Sequence, residues 1–313
     1  MTDLANEQHD GPPAAPPLMD KSTSTDPGVG TGARSRQRAR FKPEGRTRLW
    51  VWGTVCALLV LTALAGPWLV GDTEASHLGS RLYDPGEHGH LLGTDGQGRD
   101  VLARVVAGAR PSLVAGITPV LIAAVIGSTL GIAAGLAGQR VGTTVMRALD
   151  VVYAFPAVLL AVAISASLGS GVVNAIIALS IVLIPPVARV VETETLRIRS
   201  ADFMTSARAS GAGWAAIAVR QVLPVVLPVI VVYCTALAGM ALVFAAGLSF
   251  LGLGVAPPHA EWGLMVADLR PYIYANPALS LLPAAALLLA STAFLALGDA
   301  LRTRMDVRQE ALA

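Results

Sequence analysis

Six long apolar runs alternate with polar segments along most of the chain, at about residues 49–70, 112–137, 145–168, 172–191, 223–248 and 278–300. Each is near the ~20 residues that cross a hydrocarbon core. Backbone groups in lipid must pair within their own segment, so the runs predict helices. The period-two alternation of barrel strands is absent. The pattern predicts an all-α membrane protein with six transmembrane helices. Residues 1–45 differ in kind. "GPPAAPP" and "KSTSTDPGVGTGARSRQRAR" are rich in Pro, Gly, Ser and Arg and predict a disordered cytoplasmic tail. A tail of that length before the first run favours an uncleaved span over a signal peptide, although "ALA" at 63–65 resembles a cleavage site.

Composition agrees with that class. Of 313 residues, 54% are hydrophobic and 14% charged, with a mean hydropathy of +0.61. Soluble domains carry about 25% charged residues. A net charge of +2 gives no indication of a nucleic-acid partner. Cys56 and Cys234 lie inside apolar runs and read as free thiols.

Basic residues orient the chain. With the N-terminus inside, the inner segments hold the cluster from Arg34 to Arg48, then Arg140, Arg147, Arg189, Arg197, Arg199, Arg208 and Arg220, and Arg302, Arg304 and Arg308. The outer segments hold Arg81, Arg99, Arg104, Arg110 and Arg270. Both termini are therefore expected in the cytoplasm. Four stretches follow: the tail 1–45; 46–111, the first span plus an extracytoplasmic segment; a core of five spans over 112–308; and a short tail, 309–313.

Few residues offer chemistry. A charge at mid-helix costs about 2.5–3.5 kcal/mol on insertion scales and usually marks an ion relay. No run carries one at its middle; Asp150 and Asp299 lie near cytoplasmic ends, and Asp150 is expected to pair with Arg147 or to cap a helix. This argues against an ion-coupled carrier. "GTDGQGRD" at 93–100 lacks the Lys-Ser/Thr of a phosphate-binding loop and reads as a turn with Thr94 or Asp95 capping a helix. "VLARVVAGAR" after it predicts a short interfacial helix, Arg104 and Arg110 on its polar face. His88 and His90 lack a third fixed ligand, a weak metal signal. Ala123, Gly127, Gly131 and Gly135, four apart, predict close helix packing.

One inner segment stands out within 192–224: "DFMTSARASGAGWAAIAVRQVLP". Helical spacing gathers Phe203, Met204 and Ala207. Gly211 permits a left-handed turn. A second short helix is expected from Trp214 to Pro224. The apolar residues Phe203, Met204, Trp214 and Ile217 on a cytoplasmic loop predict a docking surface.

This segment resembles the EAA loop of ABC-importer permeases. Thr205, Ser206 and Ala207 stand at the E-A-A positions, Gly211 at the glycine, and Val222-Leu223-Pro224 at the closing motif; the glutamate and first alanine are not matched. Stretches 90–113, 148–162, 248–268 and 297–308 are similar, in the same order, to the C-type permease subunit of dipeptide, oligopeptide and nickel importers. The resemblance implies a type I importer permease fold and an N-in/C-in topology, with a coupling helix between the fourth and fifth spans. It implies four kinds of partner: a homologous B-type permease, two cytosolic ATPases, an extracytoplasmic binding protein and the bilayer. ATP and Mg would be bound by the ATPases and no cofactor by this chain, which is not an enzyme. Asp202, Phe203, Met204, Thr205, Ser206, Ala207, Arg208, Gly211, Trp214, Leu223 and Pro224 would form the ATPase-coupling loop. Phe250, Gly252, Gly254, Pro257, Pro258 and Trp262 would gate the outer entrance or meet the binding protein. Short peptides are the expected cargo, with nickel or haem-like compounds as the alternative. A membrane scaffold is the other class left open.

Overall fold

A computed structural model of the chain describes residues 44–71, 73–274 and 276–310. The expected tail therefore lies outside the described residues up to position 43; Glu44 and Gly45 already belong to the first helix. Among the described residues ten α-helices make up the frame: α1 Glu44–Leu69, α2 Val101–Leu136, α3 Gln139–Tyr153, α4 Ala157–Leu168 and α5 Val172–Arg199 come first. They are followed by α6 Asp202–Ala209, α7 Trp214–Ile217, α8 Leu223–Phe250, α9 Trp262–Leu269 and α10 Pro277–Glu310. Among the described residues the nearest approach to a strand is one isolated bridge, Thr94 with Asp100.

Among the described residues five segments are long and apolar enough to cross a membrane: Arg46–Gly66, Val101–Leu136, Val172–Arg199, Trp214–Phe250 and Pro277–Met305. The third apolar run is not one straight helix. It breaks into α3 and α4, bent by 83°, and makes a sixth span only if the pair counts as one. The break falls at Pro156, which has no N–H to continue α3 and whose own backbone leaves the helical region at ψ 120°.

Two further boundaries differ from expectation. Residues 101–110 are not a separate interfacial helix but the opening turns of the 36-residue α2. At 1.5 Å per residue α2 is about 54 Å long, more than the ~30 Å hydrocarbon core requires. α10 also continues through Glu310, so the expected tail shortens to positions 311–313, outside the described residues.

α2 is the central element, with α5 and α8 packed along it and α1 and α10 closing the other side. The small-residue stripe lies against α5: Gly127 faces Val187, Gly131 faces Ala188 and Val191, and Gly135 faces Thr195. Arg199 fastens the ends, donating Nη1 to the Gly135 and Ala137 carbonyls that α2 leaves unpaired at its C-terminus. A methyl group on Gly131 would stand 2.5 Å from the Ala188 carbonyl oxygen and 2.8 Å from Val191 Cβ. Neither is a flexible side-chain end. Gly131→Ala is therefore expected to cost about 1–3 kcal/mol. Its thermal midpoint in detergent should fall by several degrees, at roughly 2–4 °C per kcal/mol. Gly247→Ala, where an added methyl meets nothing within 4 Å, should leave the midpoint unchanged or slightly raised.

Candidate functional site

The segment between α5 and α8 is an ordered elbow. α6 ends at Ala209, and the chain turns through Gly211 at φ +75°. The Ala212 N–H donates to the Ala207 carbonyl at 3.2 Å, and the Gly211 N–H to that of Arg208 at 3.0 Å. This pair of bonds is a Schellman motif, which satisfies the last carbonyls of a helix and places a glycine in the left-handed region. Gly213 then takes extended backbone and opens α7.

Packing sorts the four apolar side chains into two sets. Met204 is fully buried with Ile198, Ile217, Ala218 and Val222, and Ala207 and Ala212 pack at the edge of that cluster. Met204 and Ile217 thus anchor the elbow and are not part of a docking surface. Phe203 is 41% and Trp214 54% exposed, so these two remain outward. Asp202, Thr205, Ser206, Arg208, Gly211 and Pro224 are also exposed, and Leu223 is half-buried.

The second helix does not end at Pro224. α7 passes through a π-helical turn, Ala218–Val222, into α8, whose first turn carries Pro224. A proline there needs no N–H partner, and the wider π turn takes up the register change. The elbow is therefore continuous with a membrane-spanning helix from Trp214 to Phe250.

On the other side of the molecule, residues 250–262 join α8 to α9. Gly252 has φ +79°, Gly254 packs against Ser249, and the Pro257–Pro258 peptide bond is cis. Phe250, Pro257 and Pro258 are exposed. Trp262 is not at the surface as expected. It is buried against α2 because its indole N–H finds a partner there, the Val105 carbonyl at 2.9 Å. Glu261 caps α9, accepting from Gly263 N at 3.0 Å and Leu264 N at 2.8 Å, and takes the Ser112 hydroxyl of α2 at 3.1 Å.

A buried ionic cluster supports this loop. Arg99 Nε meets Asp95 Oδ2 at 2.7 Å, and Arg104 Nη1 donates to the Thr73 and Pro258 carbonyls. Arg104 is thus interior, not on a polar surface face. Asp95 accepts from the Gln97 and Arg99 N–H groups inside its turn, and Asp100 is the residue that caps α2, through Ala103 N. Asp100 also meets His90 Nδ1 at 2.8 Å.

Comparison with known proteins decides the class. A family model described as "Binding-protein-dependent transport system inner membrane component" matches residues 127–307. The chain belongs to this family. As such it is a multi-pass subunit of the inner membrane in an ABC importer, a transport component and not an enzyme. ATPase and substrate-binding partners go with that role. The glutathione transport system permease protein GsiD of Pectobacterium atrosepticum is 39% identical over 255 residues, 81% of this chain and 85% of that protein. The dipeptide transport system permease protein DppC of Alkalihalophilus pseudofirmus is 35% identical over 300 residues, 95% of each. The nickel transport system permease protein NikC of Escherichia coli is 38% identical over 253 residues, 80% of this chain and 91% of that protein. A structure of the MetNI methionine ABC transporter, inward-facing, matches with a TM-score of 0.54 at 21% identity, covering 64% of this chain and 95% of that one. That likeness is one of fold.

Proposed function

We propose that this chain is the C-type permease of an ATP-driven importer of short peptides and forms half of its transmembrane pathway. The observation that carries the reading is the 35% identity over 95% of both chains to a permease named for dipeptide transport. In this reading the fold is of type I, with six spans, the bent pair α3–α4 counting as one. Both termini are cytoplasmic, and a homologous B-type permease supplies the other half.

The elbow Asp202–Pro224 is the coupling loop. Phe203 and Trp214 present apolar side chains to a cytosolic ATPase, and Thr205 offers a hydroxyl where the family pattern has a carboxylate. ATP and Mg belong to the two ATPase subunits, and this chain holds no cofactor. Outside, the exposed Phe250 and Pro257–Pro258, with Gly252 and Gly254 shaping the loop, form the gate or the binding-protein contact. Trp262 supports that loop from within.

Two measurements test this. Affinity purification in mild detergent should recover a P-loop ATPase and a second permease with this chain; isolation of a stable lone subunit would rule out the pairing with a B-type permease. Cells lacking the gene should lose uptake of a radiolabelled dipeptide and regain it on complementation. Retained dipeptide uptake with lost nickel uptake would favour the second reading, which rests on the 38% identity to a nickel permease.

A further inference from the structure

α5 continues to Arg199, eight residues beyond the expected end of its apolar run, so Arg189 and Glu192 lie inside a spanning helix. Arg189 pairs with Asp150 of α3; Arg147 is not the partner of Asp150. Ten residues separate Arg189 from the end of α5, about 15 Å at helical rise. Asp150 is likewise eight residues, about 12 Å, past Gly142, which packs on the backbone of Ala134 near the end of α2. Arg189 is thus set well in from the end of α5, and the ion pair holds Asp150, three residues before the end of α3 at Tyr153, beside it.

Neither belongs to the packed interior. The face of α5 that meets α2 carries Val187, Val191 and Thr195, whereas the Arg189 and Asp150 side chains are 50% and 45% exposed on the other side. Charged groups at such depth face a water-filled cavity or protein, not lipid. The surroundings continue the polar character. Glu192, one turn on, feels both charges, and Tyr153, one turn past Asp150, is exposed and close to Tyr233 of α8.

We propose that Asp150 and Arg189 form a substrate-contacting pair in the translocation path that receives the ammonium and carboxylate of a short zwitterionic peptide. The assignment rests on the peptide-importer reading above. The pair engages Nη2 of Arg189 and Oδ1 of Asp150. Among the described residues the other guanidinium N–H groups and Asp150 Oδ2 make no further hydrogen bond, so each can take the opposite charge of a ligand. A side-by-side cation and anion match a molecule that carries both.

The test uses the whole transporter, with partner permease, ATPases and binding protein, reconstituted in vesicles and supplied with labelled dialanine. Arg189→Gln and Asp150→Asn should each lower uptake about tenfold or more, the effect of one lost charge-assisted contact. Arg189→Lys should recover most of it, and co-purification of the partners should be unchanged in all three. Uptake by Arg189→Gln equal to that of the unaltered transporter would overturn the proposal. If the unaltered transporter imports no dipeptide, the peptide reading fails and takes the assigned ligand with it.

A second measurement needs no uptake. With Cys56 and Cys234 replaced by serine, Thr193→Cys should react with a charged, membrane-impermeant thiol reagent applied to the cytoplasmic face, and dialanine should slow that reaction. Leu58→Cys, on the exposed apolar face of α1, should stay unreacted. An unreactive Thr193→Cys would show that the face is dry and overturn the assignment.

Discussion

Gly211→Val is expected to abolish uptake while leaving the protein in the membrane at its normal level. The left-handed conformation at Gly211 costs an L-residue about 1–2 kcal/mol, and more when the side chain is β-branched. A side chain there meets nothing within 4 Å, so the penalty comes from the backbone alone and not from a clash in the core. That separates coupling from folding. The five large spanning segments keep their contacts, but the two turn bonds from Gly211 and Ala212 no longer form together. α6 then loses its fixed angle to α7. Phe203 and Trp214, which lie on opposite sides of the turn, cease to present one surface. Gly211→Asn should retain most of the uptake, because asparagine tolerates the left-handed region. Gly211→Ala should fall between. Transport in cells or vesicles, normalised to the membrane content of the permease, decides it. Normal uptake by the valine variant would show that the turn is not needed for transmission.

The legibility of the spans and of the Gly211 turn in the sequence has a physical basis. Lipid demands long apolar runs, so five of the six expected spans correspond to single helices or their continuations. A glycine at the end of a short helix between two spans marks a turn with few alternatives, and Gly211 occupies one. What was hidden depended on partners distant in sequence. Met204 and Phe203 are adjacent and both apolar, and only the cluster around Ile198 and Val222 decides which one turns inward. Arg104 reads as a surface residue until Thr73, Asp95 and Pro258 surround it. Asp150 has an arginine three positions away, but its partner lies 39 positions on, in α5. Pro156 breaks the third apolar run, but the 83° bend depends on how α3 and α4 each pack on α5. Trp262 is expected at the outer contact on resemblance, and a carbonyl in α2 draws its indole inward.

Glu261→Ala should produce the largest loss of stability. The carboxylate holds two elements at once: it caps α9 and accepts the Ser112 hydroxyl of α2. Its removal leaves the Gly263 and Leu264 N–H groups without their cap and the buried Ser112 hydroxyl without its acceptor. A lost cap costs about 0.5–2 kcal/mol and a buried unsatisfied polar group about 1–3 kcal/mol. A total of about 3 kcal/mol would lower the thermal midpoint in detergent by roughly 6 °C or more. A midpoint within a degree of the unaltered protein would show that the loop does not depend on this carboxylate. Glu261→Gln keeps an acceptor oxygen and should lose less, but it should change the response to pH. Burial pushes the Glu261 carboxyl above its ordinary value of 4.5, although the bonds from Gly263, Leu264 and Ser112 oppose the shift. Between 4.5 and that raised value the folded protein holds the proton and the unfolded chain releases it. The contribution is therefore fully present below 4.5 and is lost as pH rises through the folded value. Acidification from neutral should strengthen the outer loop. Asp268, raised by burial against the pull of Arg99 and Arg104, acts in the same direction. Because Asp268 remains in Glu261→Gln, the component due to Glu261 is the difference between the two pH profiles. A glutamine variant whose midpoint follows the same pH profile as the unaltered protein would exclude Glu261 as a source of that dependence.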